Sequence, residues 1–302
     1  MKRLALMLFA LGCGTGGDPG DGSQNLPNPG FAPYTVYLGP DDRAVNLFPD
    51  RPNLGAPFAR IEGDRVALYL HECPAEAPCR IVRADSKDGI NFDEPDTFAE
   101  HPDGLMDPFV SDSAGQTTLW AVTADGTQVV RQTGQSGPFT EVLRAPQETV
   151  FASPSVRIIQ GVVHLFLIEV FDDRRIVTHQ LVGGDEKTTL QGLCGFAGCR
   201  GVEQLQDVEV RYAVTPAGRR IWRALLSGQD LDGNGVLNFA ASNDGHEWSP
   251  FAFNPAITSG GSLRSGTQIV FDERYHVYAV SGRSATRIVL AVNDRPGGSQ
   301  RW

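Results

Sequence analysis

Five short apolar runs recur along this chain at intervals of about fifty residues, and that repeat limits the fold more than any other feature. They are residues 66–70 (VALYL), 118–122 (TLWAV), 163–167 (VHLFL), 220–225 (RIWRAL) and 275–280 (YHVYAV). Each is rich in β-branched or aromatic residues and is bounded by turn residues, which is the pattern of a strand. Helical periodicity is scarce after residue 30. The 34 glycines and 20 prolines are spread along the chain, as many turns between short strands require.

A common unit surrounds each run. It opens with a short strand: Ala56-Pro57-Phe58-Ala59, Asp107-Pro108-Phe109-Val110 and Ser153-Pro154-Ser155-Val156. Looser copies are Asp207-Val208-Glu209-Val210 and Gly266-Thr267-Gln268-Ile269. A third strand follows the apolar run, at 80–84, 128–131, 175–178, 237–241 and 287–291. Two copies then carry the same turn, Ser86-Lys87-Asp88-Gly89-Ile90-Asn91-Phe92 and Ser242-Asn243-Asp244-Gly245-His246-Glu247-Trp248. Asp-Gly suits a tight turn because Gly takes positive φ without a steric penalty. The aromatic residue that follows can pack back between sheets. Units of this length, made of three or four antiparallel strands, predict an all-β protein, a five-bladed β-propeller over residues 33–302. The competing fold is a β-sandwich with coincidental spacing.

With these residues in view, the chain resembles the five-bladed propeller glycosidases, glycoside hydrolase family 43 and the invertase-like families beside it. The resemblance spans residues 50–295 and rests on the blade count, the Asp-Pro-like opening of the inner strand and the S-x-D-G-x-x-W turn. It implies an active site in the central funnel, at the starts of the innermost strands. It also implies three carboxylates: a water-activating Asp on blade 1, a pKa-tuning Asp on blade 3 and a proton-donating Glu on blade 4. Such hydrolysis needs two carboxyl groups whose pKa values are driven apart.

Carried over position by position, the first Asp becomes Ala56 and the second becomes Ser153. Only Glu209 retains an acid, with Asp207 two residues earlier on the same strand face. Asp107 adds a carboxylate on blade 2, where the family has no catalytic one. Moving the register so that Asp107 is the base leaves the donor position near Gly266-Thr267-Gln268, without an acid. The candidate funnel residues are therefore Ala56, Asp107, Ser153, Asp207 and Glu209. Glu209, Asp207 and Asp107 are either an unorthodox catalytic set or polar groups lining a channel.

A separate motif suggests a metal. Asp230-Leu231-Asp232-Gly233-Asn234-Gly235-Val236-Leu237-Asn238 offers oxygens from Asp230, Asp232, Asn234, the Val236 carbonyl and Asn238. Calcium takes six to eight oxygens, and such loops supply them at alternate positions. Ala241 stands where an EF-hand has its Glu. The nine residues instead resemble the hairpin calcium loop of some propellers, such as those of integrins, which implies structural Ca2+. A polar turn without an ion is the alternative.

The N-terminal residues bear on location. Lys2 and Arg3 precede eight apolar residues (4–11), too few to span a bilayer and suited to a signal peptide over residues 1–12. Ala10-Leu11-Gly12-Cys13 resembles a bacterial lipobox, although Ala10 stands where Leu is usual. It implies lipidation at Cys13. Residues 13–32 are rich in Gly, Pro and Asp and are expected to be a flexible tether. The other cysteines fall into close pairs, Cys73/Cys79 and Cys194/Cys199, which suit small disulfide loops in an oxidising compartment. A zinc site is disfavoured, because neither pair has CxxC spacing and no His pair accompanies them.

The formal net charge of −10 argues against nucleic acid as a partner. The whole reading is a monomeric lipoprotein of the bacterial cell envelope, outer membrane or surface. Its funnel binds a glycan or another extracellular ligand without an intact triad. The alternative is an active furanosidase- or xylosidase-like hydrolase using Glu209 with Asp107 or Asp207. No GxSxG, P-loop or HExxH motif, and no GxGxxG after a strand, offers other chemistry.

Overall fold

Each apolar run of the repeat becomes the second strand of its blade, paired with a neighbour on both sides. The computed structural model describes residues 34–36, 45–113, 115–172, 174–194, 204–214, 220–230, 232–250, 257–259, 263–282 and 287–294. Strand β1 (Thr35–Val36) comes first. Blade 1 is β2 (Leu54–Glu62), β3 (Arg65–Glu72), β4 (Arg80–Ser86) and β5 (Asp96–Ala99). Blade 2 is β6 (Leu105–Ser113), β7 (Gln116–Thr123), β8 (Gln128–Thr133) and β9 (Phe139–Arg144). Blade 3 is β10 (Thr149–Ile159), β11 (Val162–Phe171), β12 (Arg174–Leu181) and β13 (Lys187–Cys194). Blade 4 is β14 (Gln204–Val214), β15 (Arg220–Gln229) and β16 (Gly235–Ser242), with β17 (Ser249–Pro250) and β18 (Ile257–Ser259) both on the outer edge of β16. Blade 5 is β19 (Leu263–Phe271), β20 (Arg274–Ser281) and β21 (Arg287–Asp294).

Consecutive strands of a blade pair antiparallel. The first strands, β2, β6, β10, β14 and β19, touch one another in a closed ring, so they are innermost. Strand β1 pairs with β21, Thr35 opposite Val292 and Val36 opposite Ala291, and completes blade 5 from the other end of the chain. The protein is an all-β, five-bladed propeller.

Blades are held together by their facing side chains. Phe58 and Phe109 lie 4.4 Å apart between blades 1 and 2, and Phe166 and Trp222 lie 5.4 Å apart between blades 3 and 4. The repeated turn contributes as expected. In both copies the Ser Oγ accepts the Gly N–H, at 2.9 Å in Ser86/Gly89 and 2.8 Å in Ser242/Gly245. Gly89 and Gly245 sit at φ of 71° and 82°. The aromatic residues then reach inward. Phe92 packs edge-on against Tyr278 of blade 5, and Trp248 is buried among residues of blades 3 and 4.

Cys73 and Cys79 form a disulfide with S–S 2.07 Å. Cys199, the expected partner of Cys194, lies outside the described residues, as do Cys13, the signal segment and the tether.

Candidate functional site

Every inner strand slips its register by a residue near its start. The slips fall at Gly55/Phe58, Met106/Phe109, Ala152/Ser155, Leu205/Asp207 and Arg264/Gly266. Four of the bulged residues have left-handed φ: Ala56 at 43°, Asp107 at 50°, Ser153 at 53° and Ser265 at 46°. Such backbone is strained for a residue with a Cβ and is often found where side chains are aimed at a site. Ala56 keeps the conformation without a carboxyl group to aim. The strain therefore belongs to the blade design and not to an acid.

The bulges bring Ala56, Asp107, Ser153, Asp207 and Glu209 to one recess on the channel axis, ringed by Pro57, Pro108 and Pro154. Its cavity volume is about 30 Å³. That is room for a water or two, whereas small-molecule pockets hold about 300–1,000 Å³.

Each polar side chain here is bonded to the backbone of the next blade. Asp107 Oδ2 accepts the Ser153 N–H at 2.9 Å. Ser153 Oγ accepts the Val208 N–H at 2.9 Å and also meets Asp207 Oδ1. Asp207 Oδ2 accepts the Gly266 N–H at 3.0 Å, and Glu209 Oε2 accepts the Gln268 N–H at 3.0 Å. Thr267 Oγ1 continues the ring by accepting the Ala59 N–H at 3.2 Å. Both carboxylates of β14 are thus staples onto β19.

The two aspartates are shifted in opposite directions. Burial works to raise the Asp107 pKa. The His71 contact at 3.6 Å, the Ser153 N–H and the charge of Arg175 outweigh it and hold Asp107 below the usual carboxylate range. Asp207 goes the other way. Burial, with Asp107 and Glu209 adding repulsion, pushes it up to about 7 against the bonds from Ser153 and Gly266.

Several partners of these acids have no signature in the sequence. His71 stands opposite Gly55 in the ladder, and a Cβ on Gly55 would fall 2.3 Å from its Nε2. That glycine lets the imidazole reach Asp107. Glu209 Oε1 accepts from Arg211 at 2.6 Å, with Arg157 at 4.0 Å. These meetings depend on cross-strand register, which motif spacing does not carry. His276 is buried, as its strand position suggests. His164 instead shares a 3.0 Å N–H···N bond with His179.

In the blade 4 hairpin, Asp230 caps its own turn. Its Oδ1 accepts the N–H groups of Asp232 and Asn234, and its Oδ2 accepts from the Asn234 amide at 3.1 Å. Val236 and Asn238 are buried within β16, opposite Gly228 and Leu226. Of the five expected calcium ligands, three lie in the turn and two in the strand. Among the described residues no cluster of three or more His, Cys, Asp or Glu is placed to hold a metal.

No protein-family model matches the sequence, and no curated protein matches it. Solved structures do match by shape. A thermostable family-43 glycoside hydrolase superposes with TM-score 0.58 at 12% identity, covering 80% of this chain and 88% of its own. The α-L-arabinofuranosidase PaAbf62A of Podospora anserina, solved with cellotriose, gives 0.63 at 12% identity, covering 88% and 98%. An endo-arabinase of Bacteroides thetaiotaomicron gives 0.59 at 14% identity, covering 86% and 99%. At these identities the likeness establishes architecture, and the chain has the five-bladed β-propeller fold of glycoside hydrolases such as these.

Proposed function

We propose that this chain is a non-hydrolytic glycan-binding propeller, displayed on the bacterial cell envelope through a lipid on Cys13. The observation that carries the non-hydrolytic reading is the state of the funnel. Ala56 brings no carboxyl group, and Asp207 and Glu209 are both bonded to the backbone of β19. The recess is too small to admit a sugar ring, so a glycan would lie across its proline-ringed mouth. The glycan itself is suggested by the neighbours in shape, one of which was solved with cellotriose and another, a GH62 hydrolase, with xylotriose. The anchor is supported by the lipobox-like sequence and by a separate disulfide at Cys73–Cys79, which suits an exported protein.

One observation favours hydrolysis. Asp107 is held ionised while Asp207 is raised to about 7, a split of the kind a base and an acid need. Incubation with aryl furanosides and with arabinan and xylan fragments separates the two readings. The expected result is saturable binding of a fragment and no product. Turnover abolished by Asp207→Asn or Glu209→Gln would establish a hydrolase instead.

Structural calcium in the blade 4 hairpin is a separate proposal. It rests on the oxygens of Asp230, Asp232, Asn234, the Val236 carbonyl and Asn238, at the alternate positions a calcium loop uses.

A further inference from the structure

The channel has a second mouth, at the far ends of the inner strands, and it differs from the first in size and charge. Its cavity volume is about 800 Å³, within the range of ligand pockets. Arg157 of β10 and Arg211 of β14 line it, with Tyr212 and Phe271 as apolar walls and Glu209 beneath.

The two guanidinium groups share a single carboxylate. Arg211 donates to Glu209 Oε1 at 2.6 Å, and Arg157 stands 4.0 Å from the same atom. Arg157 otherwise donates to the Val156 carbonyl and lies 4.8 Å above the Phe109 ring. Arg211 Nε is buried and has no partner. A buried donor left unbonded costs about 1–3 kcal/mol. The third arginine of this cavity, Arg60, is already matched by Asp112 and Glu62. Asp272 and Glu273 stand exposed on the rim, where solvent screens them. The floor therefore carries an unbalanced positive charge in a protein whose net charge is −10. Burial and the neighbouring Arg211 charge pull Arg157 down to about 9, so it remains a cation at neutral pH.

We infer that this wide mouth binds a carboxylate-bearing ligand, held by the Arg157 and Arg211 guanidinium groups with its apolar face against Tyr212 and Phe271. Arginine forks match carboxylates in a bidentate manner, and aromatic walls suit the CH face of a sugar ring. A uronic acid has both parts. A plain organic acid has only the first. The site does not depend on what occupies the narrow mouth, and either can fail alone.

The test is calorimetric titration of the detergent-solubilised full chain with D-glucuronate, D-glucose and acetate. Glucuronate should bind, weaken as salt is raised, and exceed acetate. Glucose should not bind. Arg211→Gln should weaken glucuronate by about thirtyfold or more, the usual effect of removing one partner from a buried charged contact. Arg144→Gln removes an exposed charge paired with Glu141 on an outer strand and should change nothing. If Arg211→Gln does not fold, Arg211→Lys keeps the charge but loses the fork and should still lose most of the affinity. Glucuronate and acetate binding alike would overturn the sugar part. No glucuronate binding, or binding unaffected by the Arg211 variant that folds, would overturn the site.

Discussion

At the scale of single residues, the channel is organised by side chains that reach across to the next blade's backbone. Ser153 shows what such a staple does. Its Oγ accepts the Val208 N–H and also meets the Asp207 carboxyl, so one atom ties blade 3 to blade 4 twice. Ser153→Ala should destabilise the protein by about 1–3 kcal/mol, read as a lower urea midpoint with unchanged slope, because it strands a buried N–H. Asp207 gives a sharper signature. Its folded pKa of about 7 lies above its unfolded value of 3.8, so the folded state holds the proton more tightly. Its contribution to stability is therefore complete below pH 4 and is lost as pH rises towards 7. Asp207→Asn mimics the protonated form. The stability of that variant minus that of the parent should climb between pH 4 and 7, by up to about 4 kcal/mol. A difference that stays flat would mean that Asp207 is ionised throughout. The inner-strand openings were visible in the repeat, and Ala56, Asp107, Ser153, Asp207 and Glu209 line one recess there. Their partners were hidden because His71, Arg157 and Arg211 meet the acids through ladder register and blade packing, neither of which leaves a local motif.

At the scale of elements, the repeat made the strands legible, because a blade demands the same alternation of turn and apolar run five times. The S-x-D-G-x-x-aromatic turn is the clearest case, with its function readable from its residues. Asp244 Oδ1 accepts the His246 and Glu247 N–H groups, and Trp248 then drops into the seam between blades 3 and 4. Trp248 is only 5% exposed, so Trp248→Ala should cost about 3–5 kcal/mol by thermal or chemical unfolding. The Cys73–Cys79 loop is smaller in its effect. It joins the end of β3 to the start of β4, and the closed loop is short. Loop entropy assigns it about 2 kcal/mol, so Cys73→Ser should lower stability by that amount and leave the far-ultraviolet dichroism unchanged. The D-x-D-x-N-G hairpin shows where local reading stops. The turn residues cap their own loop, while Val236 pairs with Gly228 and Thr258 and Asn238 pairs with Leu226, contacts set by the sheet and not by the motif.

At the scale of the whole molecule, a propeller must close, and the closure was the part least visible in the sequence. Strand β1 has two residues, too few for a periodic pattern, and it lies far from β21 along the chain. The contacts beside it explain why so short a strand holds. Tyr34 stacks on Phe239 of blade 4 at 6.3 Å, and its hydroxyl oxygen accepts from Gln268 of β19 at 2.6 Å. Burial raises the Tyr34 pKa well above that of a free phenol, so the hydroxyl is neutral across the physiological range. One residue thus joins the first segment of the chain to two blades at the seam where the ring begins and ends. Tyr34→Phe keeps the ring and removes the Gln268 bond, which should cost about 1 kcal/mol. Tyr34→Ala also removes the stacked ring and should cost about 2 kcal/mol more. Because the loss falls at the closure, the Ala variant should show faster amide hydrogen exchange in β21 and β19 ahead of the other inner strands. Exchange that rises evenly around all five blades would mean that Tyr34 contributes only bulk stability and that the ring is held shut by the blade cores alone.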